Sequence, residues 1–217
     1  MIEIRNIDCL EGMKELQPKS VDLLITDPPY STPVITSFGR KKFKNLADLS
    51  VQEFYFKAIK TELERIMKPS GSVFIFCDDK FYPILYAVFY EWLNLGLIIW
   101  DKGKIGMGRP IRKQHELIMY ANQGSAEFQK FGEITHIPSV LKVKHDTNKI
   151  HGAQKPVELI QHLVNGFSNE NDLVVDLFGG SGSTAIACKN LNRNFIGFEL
   201  NKEIANASMQ RIESKLF

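Results

Sequence analysis

Asp172-Leu173-Val174-Val175-Asp176-Leu177-Phe178-Gly179-Gly180-Ser181-Gly182-Ser183-Thr184-Ala185 is the stretch from which the architecture is read. The run from Asp172 to Phe178 is short, apolar and β-branched, as a buried strand requires, and the glycines after it demand a tight turn. Ser183 to Leu191 then reads as a helix and Phe195 to Leu200 as a second strand. Asn201 caps a further helix whose apolar stripe includes Ile204, Ala205, Met209 and Ile212. Strand, helix, strand, helix in this order is a βαβ unit with its following helix, and it implies parallel strands.

The same alternation continues towards the N-terminus. Val21-Asp22-Leu23-Leu24-Ile25-Thr26 reads as a buried strand that stops at two prolines. Ser50-Val51-Gln52-Glu53 has the form of a capping box, and Phe56, Ile59, Leu63 and Ile66 follow at helical spacing until Pro69-Ser70-Gly71. Ser72 to Phe76, Leu97 to Trp100 and Glu116 to Tyr120 read as strands, and Lys80 to Leu93 as a helix. The expected fold class is α/β, a mostly parallel sheet with helices on both faces, formed by residues 1–217 as a single domain. Ser31 to Leu49 and Asn122 to Lys149 carry little pattern and are longer than ordinary connections, a length that usually goes with function.

Composition excludes several classes. No apolar run approaches the roughly 20 residues of a membrane span, and Met1 to Arg5 has no basic flank followed by an apolar stretch, so a cytoplasmic protein is expected. Cys9, Cys77 and Cys188 are neither close nor paired, which argues against a disulfide framework and a cysteine metal site. Net charge is only +2, but the cations cluster: Arg40, Lys41, Lys42 and Lys44 in one group, and Lys102, Lys104, Arg109, Arg112 and Lys113 in another. Such groups suit phosphate contacts as well as a solvated surface.

Two stretches carry chemistry. Gly180-Ser181-Gly182-Ser183-Thr184-Ala185 fits G-x-G-x-x-A between strand and helix, and Glu199 stands near the offset of a carboxylate that holds ribose hydroxyls. That pattern suits a nicotinamide dinucleotide or another adenosine-containing ligand. Asp176, at the tip of the strand, would repel a pyrophosphate and attract an ammonium group. Asp27-Pro28-Pro29-Tyr30 closes the earlier strand. Its prolines stiffen the backbone and remove two donors, leaving the Asp27 carboxylate and the Pro28 carbonyl as acceptors beside an aromatic face. This set matches an aromatic base bearing an amino group: the acceptors would draw the nitrogen towards tetrahedral geometry while Tyr30 stacks on the ring.

The three stretches Asp27-Pro28-Pro29-Tyr30, His151-Gly152-Ala153-Gln154-Lys155-Pro156 and Asp176-Leu177-Phe178-Gly179-Gly180-Ser181-Gly182 together resemble the DNA amino-methyltransferases specific for adenine N6 or cytosine N4. Their order, catalytic motif before cofactor motif, is that of the β class. The resemblance implies a Rossmann-like fold, S-adenosylmethionine as cofactor and DNA as partner. It makes Asp27, Pro28, Pro29 and Tyr30 catalytic. It assigns Asp8, Asp27, Lys155, Asp176, Phe178, Gly180, Gly182, Ser183 and Glu199 to the cofactor, Asp8 serving equally well as a helix N-cap. Arg40, Lys41, Lys42, Lys44, Arg109, Arg112 and Lys113 are the expected DNA contacts, and no metal is expected. His115-Glu116 resembles a family pair near the target-base pocket. Residues 1–121 form the catalytic half, 122–150 a short target-recognition region and 151–217 the cofactor half, and a homodimer is implied by resemblance alone. Asp at position 27 favours adenine, since cytosine enzymes commonly begin the tetrad with serine. Leu177 stands where relatives often have proline, and Ile204 where they often have tyrosine.

Other readings meet obstacles. Methyltransferases of RNA or of protein amides typically have asparagine first in the tetrad and the glycine motif before it. A nicotinamide-dependent oxidoreductase leaves the tetrad without a role, and the intact Asp27, Pro28, Tyr30, Asp176 and Glu199 argue against a binding-only relative that has lost activity.

Overall fold

The structure is a computed structural model that describes residues 1–29, 49–106, 110–124, 137–144 and 154–214. Eight strands among them form one sheet: β1 (Ile2–Arg5), β2 (Val21–Thr26), β3 (Met67–Cys77), β4 (Asn94–Asp101), β5 (His115–Asn122), β6 (Val140–Lys142), β7 (Leu173–Asp176) and β8 (Asn194–Phe198). The helices are α1 (Cys9–Lys14), α2 (Leu49–Ile66), α3 (Tyr82–Phe89), α4 (Val157–Phe167), α5 (Ser183–Asn190) and α6 (Lys202–Ser214). Strand order is β1-β8-β7-β2-β3-β5-β4-β6, and every pairing is parallel except the two made by β5. This is the Rossmann-like, mostly parallel α/β sheet expected.

Both faces are covered, which explains why the central strands are apolar throughout rather than alternating. Leu24, Val73, Ile75, Val175 and Phe198 point to the side of α1, α2 and α3, packing with Met13, Ile59, Leu63 and Leu85. Leu23, Ile25, Phe74, Val174 and Phe195 point the other way, against Leu163 of α4, Ile186 of α5 and Ile212 of α6. The period of two sorts each strand's side chains between two cores.

Element boundaries move for identifiable reasons. Ser50 lies inside α2, which opens at Leu49, and Glu53 pairs with Lys57 at 2.7 Å on the next turn. The stretch Pro69-Ser70-Gly71 does more than stop α2: β3 already begins at Met67, and the register jumps from Val21↔Met67 to Leu23↔Ser72, so these residues bulge out of the ladder. The helix expected over Lys80 to Leu93 is shorter, Tyr82–Phe89, and Pro83 occupies its first turn, where it costs no hydrogen bond. Asn201 caps α6 as read, its Oδ1 accepting from the amides of Glu203 (2.9 Å) and Ile204 (3.2 Å). No described helix is long and apolar enough to cross a membrane.

Helix α1 reaches β8 only because Gly12 has no side chain. A Cβ at that position would lie 2.4 Å from the ring of Phe198, which is fully buried. Gly12→Ala is therefore expected to destabilise the fold by about 1–3 kcal/mol in urea unfolding, despite alanine's better helix propensity. Unchanged stability would show that α1 does not need this close approach.

Candidate functional site

The sheet's connections diverge at the seam between β2 and β7. The chain leaves β2 for β3 on one side and β7 for β8 on the other, while β2 and β7 pair directly, Leu23 with Val174 and Leu24 with Val175. Such a switch point opens a crevice beyond the carboxyl ends of the strands. Both chemistry-bearing stretches start there. The Thr26 hydroxyl donates to Asp176 Oδ1 (3.0 Å) and accepts from the Leu177 amide (3.2 Å), tying the end of one strand to the end of the other.

The glycine turn after β7 is braced from below. The Gly179 amide donates to the Phe198 carbonyl (2.7 Å) and the Gly182 amide to the Gly179 carbonyl (2.9 Å). Gly180 and Gly182 have φ of 49° and 74°, a left-handed conformation that side chains disfavour. Helix α6 grips the turn: the Ser208 hydroxyl donates to the Gly180 carbonyl, and buried Arg211 donates to the Ser181 carbonyl (2.6 Å) and the Ser183 hydroxyl (3.2 Å). Phe178 is half-buried beside the turn, and Ser183 opens α5.

Glu199 follows β8, its carboxylate accepting the Gly180 amide (3.1 Å) and the Asn201 amide (2.8 Å). Burial pushes its carboxyl up, against the pull of those two amides. Asp8 follows β1, the neighbour of β8, and caps α1 by accepting the Leu10 amide at 2.9 Å. Glu199 and Asp8 thus stand at the same end of adjacent parallel strands.

Asp27 meets Lys155 beyond β2. The Lys155 ammonium, almost wholly buried, donates to Asp27 Oδ2 at 2.5 Å and lies 3.2 Å from Glu116 Oε2, with the Phe76 ring centroid 5.0 Å away. The Lys155 carbonyl accepts the Ser183 hydroxyl (2.8 Å), so this one residue is attached to the glycine turn by its backbone and to Asp27 by its side chain. Its ammonium is held in the charged form against burial by the two carboxylates. Pro28 is buried, and the Pro29 carbonyl accepts from Gln52 Nε2 at 3.4 Å. Tyr30 lies outside the described residues.

The basic groups divide. Arg40, Lys41, Lys42, Lys44 and Arg109 lie outside the described residues, as do His151 and most of 122–150. Arg112 and Lys113 are exposed on the connection between β4 and β5, where Lys113 pairs with Asp79 and its carbonyl accepts the Gly106 amide at 2.9 Å. The sequence assigned no role to Thr26 or Arg211, marked Lys102 only as one of a basic cluster and Thr184 only as a position of the glycine motif. The trace of Thr26 there is a polar residue closing an apolar strand directly before Asp27.

Asp176 is 4% exposed and accepts from the Thr26 hydroxyl, the Thr184 hydroxyl (2.8 Å) and the Phe178 amide (3.1 Å). Desolvation outweighs these bonds and pushes its carboxyl up to about 6. A carboxyl that binds its proton more tightly folded than unfolded favours the fold at low pH. Its contribution is lost as pH rises from about 4 through 6. Asp176→Asn keeps the shape, so at neutral pH it is expected to gain on the order of 1–3 kcal/mol, read as a raised melting temperature. The gap should close towards pH 4, and a variant melting below the wild type at both pH values would overturn this account.

Comparison with known proteins agrees with this geometry. The N6_N4_Mtase family model, described as DNA methylase, matches residues 21–210. The type II methyltransferase M.HpaI of Haemophilus parainfluenzae is 28% identical over 96% of this chain and 73% of its own length. M.BglII of Bacillus subtilis is also 28% identical, over 96% of this chain and 68% of its own. The crystal structure of the M1.HpyAVI–SAM complex superposes with a TM-score of 0.70 at 27% identity, covering 98% of this chain and 100% of that one. PvuII DNA methyltransferase, cytosine-N4-specific, shares the fold with a TM-score of 0.76 at 17% identity over 99% of this chain and 91% of its own. With its switch-point crevice, its ordered motifs and a family match across most of its length, the chain belongs to the adenine-N6/cytosine-N4 DNA methyltransferase family.

Proposed function

We propose that this DNA methyltransferase moves a methyl group from S-adenosylmethionine to the N6 amino group of an adenine turned out of the duplex. The observation that carries the proposal is the meeting of Asp27 and the glycine turn at one seam, β2 against β7, with Lys155 attached to both. An acceptor for the amino group and a cradle for the methyl donor are thereby neighbours.

The residues present fit the cofactor. Glu199 and Asp8 offer carboxylates at adjacent strand ends for ribose hydroxyls and an adenine edge, and the turn at Gly180 and Gly182 lets a ligand approach the backbone. Asp176, beneath the turn, lends negative potential to a site that must hold cationic groups. When bound, the sulfonium supplies an activated methyl group. The chain supplies orientation: Asp27 and the Pro28 carbonyl accept the amino hydrogens, the prolines keep those acceptors fixed, and Tyr30 stacks on the base. No nucleophilic side chain is needed, and the three cysteines are buried and unbonded to one another.

Aspartate at the head of the tetrad is what favours adenine over cytosine. The short region 122–150 suits a brief recognition sequence, with Arg112 and Lys113 among the phosphate contacts. A cytoplasmic homodimer with one catalytic domain per chain goes with this reading.

Purified protein incubated with methyl-labelled S-adenosylmethionine and DNA is expected to yield labelled N6-methyladenine. Label in N4-methylcytosine would overturn the base assignment, and no label in DNA the function itself. Asp27→Ala is expected to lose at least about 100-fold in kcat, a loss that saturating cofactor does not restore. Glu199→Ala is expected to weaken cofactor binding about tenfold or more in calorimetry, having lost an acceptor for ribose and the brace on Gly180. Wild-type affinity would remove Glu199 from the site.

A further inference from the structure

We propose that Glu116 is a positioning residue of the methyl-transfer site, acting through Lys155 to hold Asp27 in its working orientation. The inference rests on the function proposed above. Glu116 sits near the start of β5, the strand that runs against its neighbours, so its side chain enters the crevice from the far side of β3. Its Oε2 is sealed from solvent, lies 3.2 Å from Lys155 Nζ, and has no other hydrogen-bond partner among the described residues. Its Oε1 lies 3.4 Å from Lys102 Nζ, at the end of β4. The four groups form one chain of alternating charge, Lys102, Glu116, Lys155, Asp27, ending on the acceptor that faces the base.

Every link has a reason to matter. A buried ammonium with a single carboxylate is easily neutralised or displaced; a second carboxylate on the opposite side keeps it charged and central. Lys155 is raised above the ordinary lysine value by Asp27 and Glu116 against burial, and Glu116 is held low by Lys155 and Lys102. Among the described residues, Asp27 beyond β2 and Glu116 on β5 face the ammonium, Lys102 beyond β4 and Cys77 at the end of β3 lie next to Glu116, and Asp176 at the end of β7 lies next to Asp27. Burial pushes the Cys77 thiol up to about 12, so it stays neutral across the working range. Removing the Glu116 charge deletes a carboxylate that favours the ammonium, so Lys155 loses its proton at lower pH. Asp27 then loses its anchor.

The test is kcat at saturating DNA and cofactor, followed from about pH 7 to about pH 9 on the full chain. Glu116→Gln is expected to lower kcat about threefold at the neutral end and about tenfold or more at the alkaline end, with the KM for S-adenosylmethionine within about twofold of wild type. Glu116→Asp, which keeps the charge, is expected to restore the flat alkaline limb of the wild type. Wild-type kcat across the range in Glu116→Gln would overturn the inference, as would a uniform loss that Glu116→Asp does not rescue. Should Glu116→Gln fail to fold, Lys102→Met tests the chain from its outer end. Freed of Lys102, Glu116 supports the Lys155 charge more strongly, so kcat is expected to stay as flat to about pH 9 as in the wild type, and a fall at the alkaline end would overturn the proposal. A wild-type enzyme that transfers no methyl group to DNA would instead sink the function on which this rests.

Discussion

The pairing of β2 with β7 is the contact on which the rest of the molecule depends. These strands are about 150 residues apart in the chain, yet the Thr26 hydroxyl at the end of one donates to the Asp176 carboxylate at the end of the other. A parallel ladder fixes not only adjacency but also which ends coincide. Because both strands run the same way, the tetrad and the glycine turn emerge at a common edge. An antiparallel arrangement of the same two strands would place them at opposite ends of the sheet.

The crevice concentrates buried charge that the hydrophobic core alone would not retain. Asp176 is buried without a counter-ion among its described hydrogen bonds, and Lys155, Glu116 and Asp27 share a pocket beside Phe76. Burying such groups costs stability unless hydrogen bonds and opposite charges compensate, and for Asp176 the raised carboxyl shows that compensation is partial. Charge kept at a cost, at the ends of central strands, marks a place built for a ligand rather than for stability.

Rigidity around the crevice comes from different parts of the chain. Serine and arginine from α6 hold the turn carbonyls, and the Asn201 and Gly180 amides aim Glu199. Each brace acts on a carboxylate or a backbone group that faces the crevice. Orientation is what methyl transfer to a weakly nucleophilic amine demands, since the reaction needs alignment more than acid or base.

Sequence alone determined the α/β class, the βαβ unit around the glycine turn, the cap at Asn201 and the order of the two motifs, because these follow from local periodicity and turn chemistry. It also marked the carboxylates at strand ends, which stand out against apolar runs. Tertiary structure decided what each of them touches: that Lys155 reaches Asp27, that Glu116 and Lys102 extend that pair, and that Arg211 lies under the turn. Helix α4 and strand β6, not marked in the sequence reading, also find their places only against the sheet. The physical reason is range. Capping and periodicity act within a few residues, whereas an ion pair between positions 27 and 155 exists only once the ladder has brought two distant strand ends together.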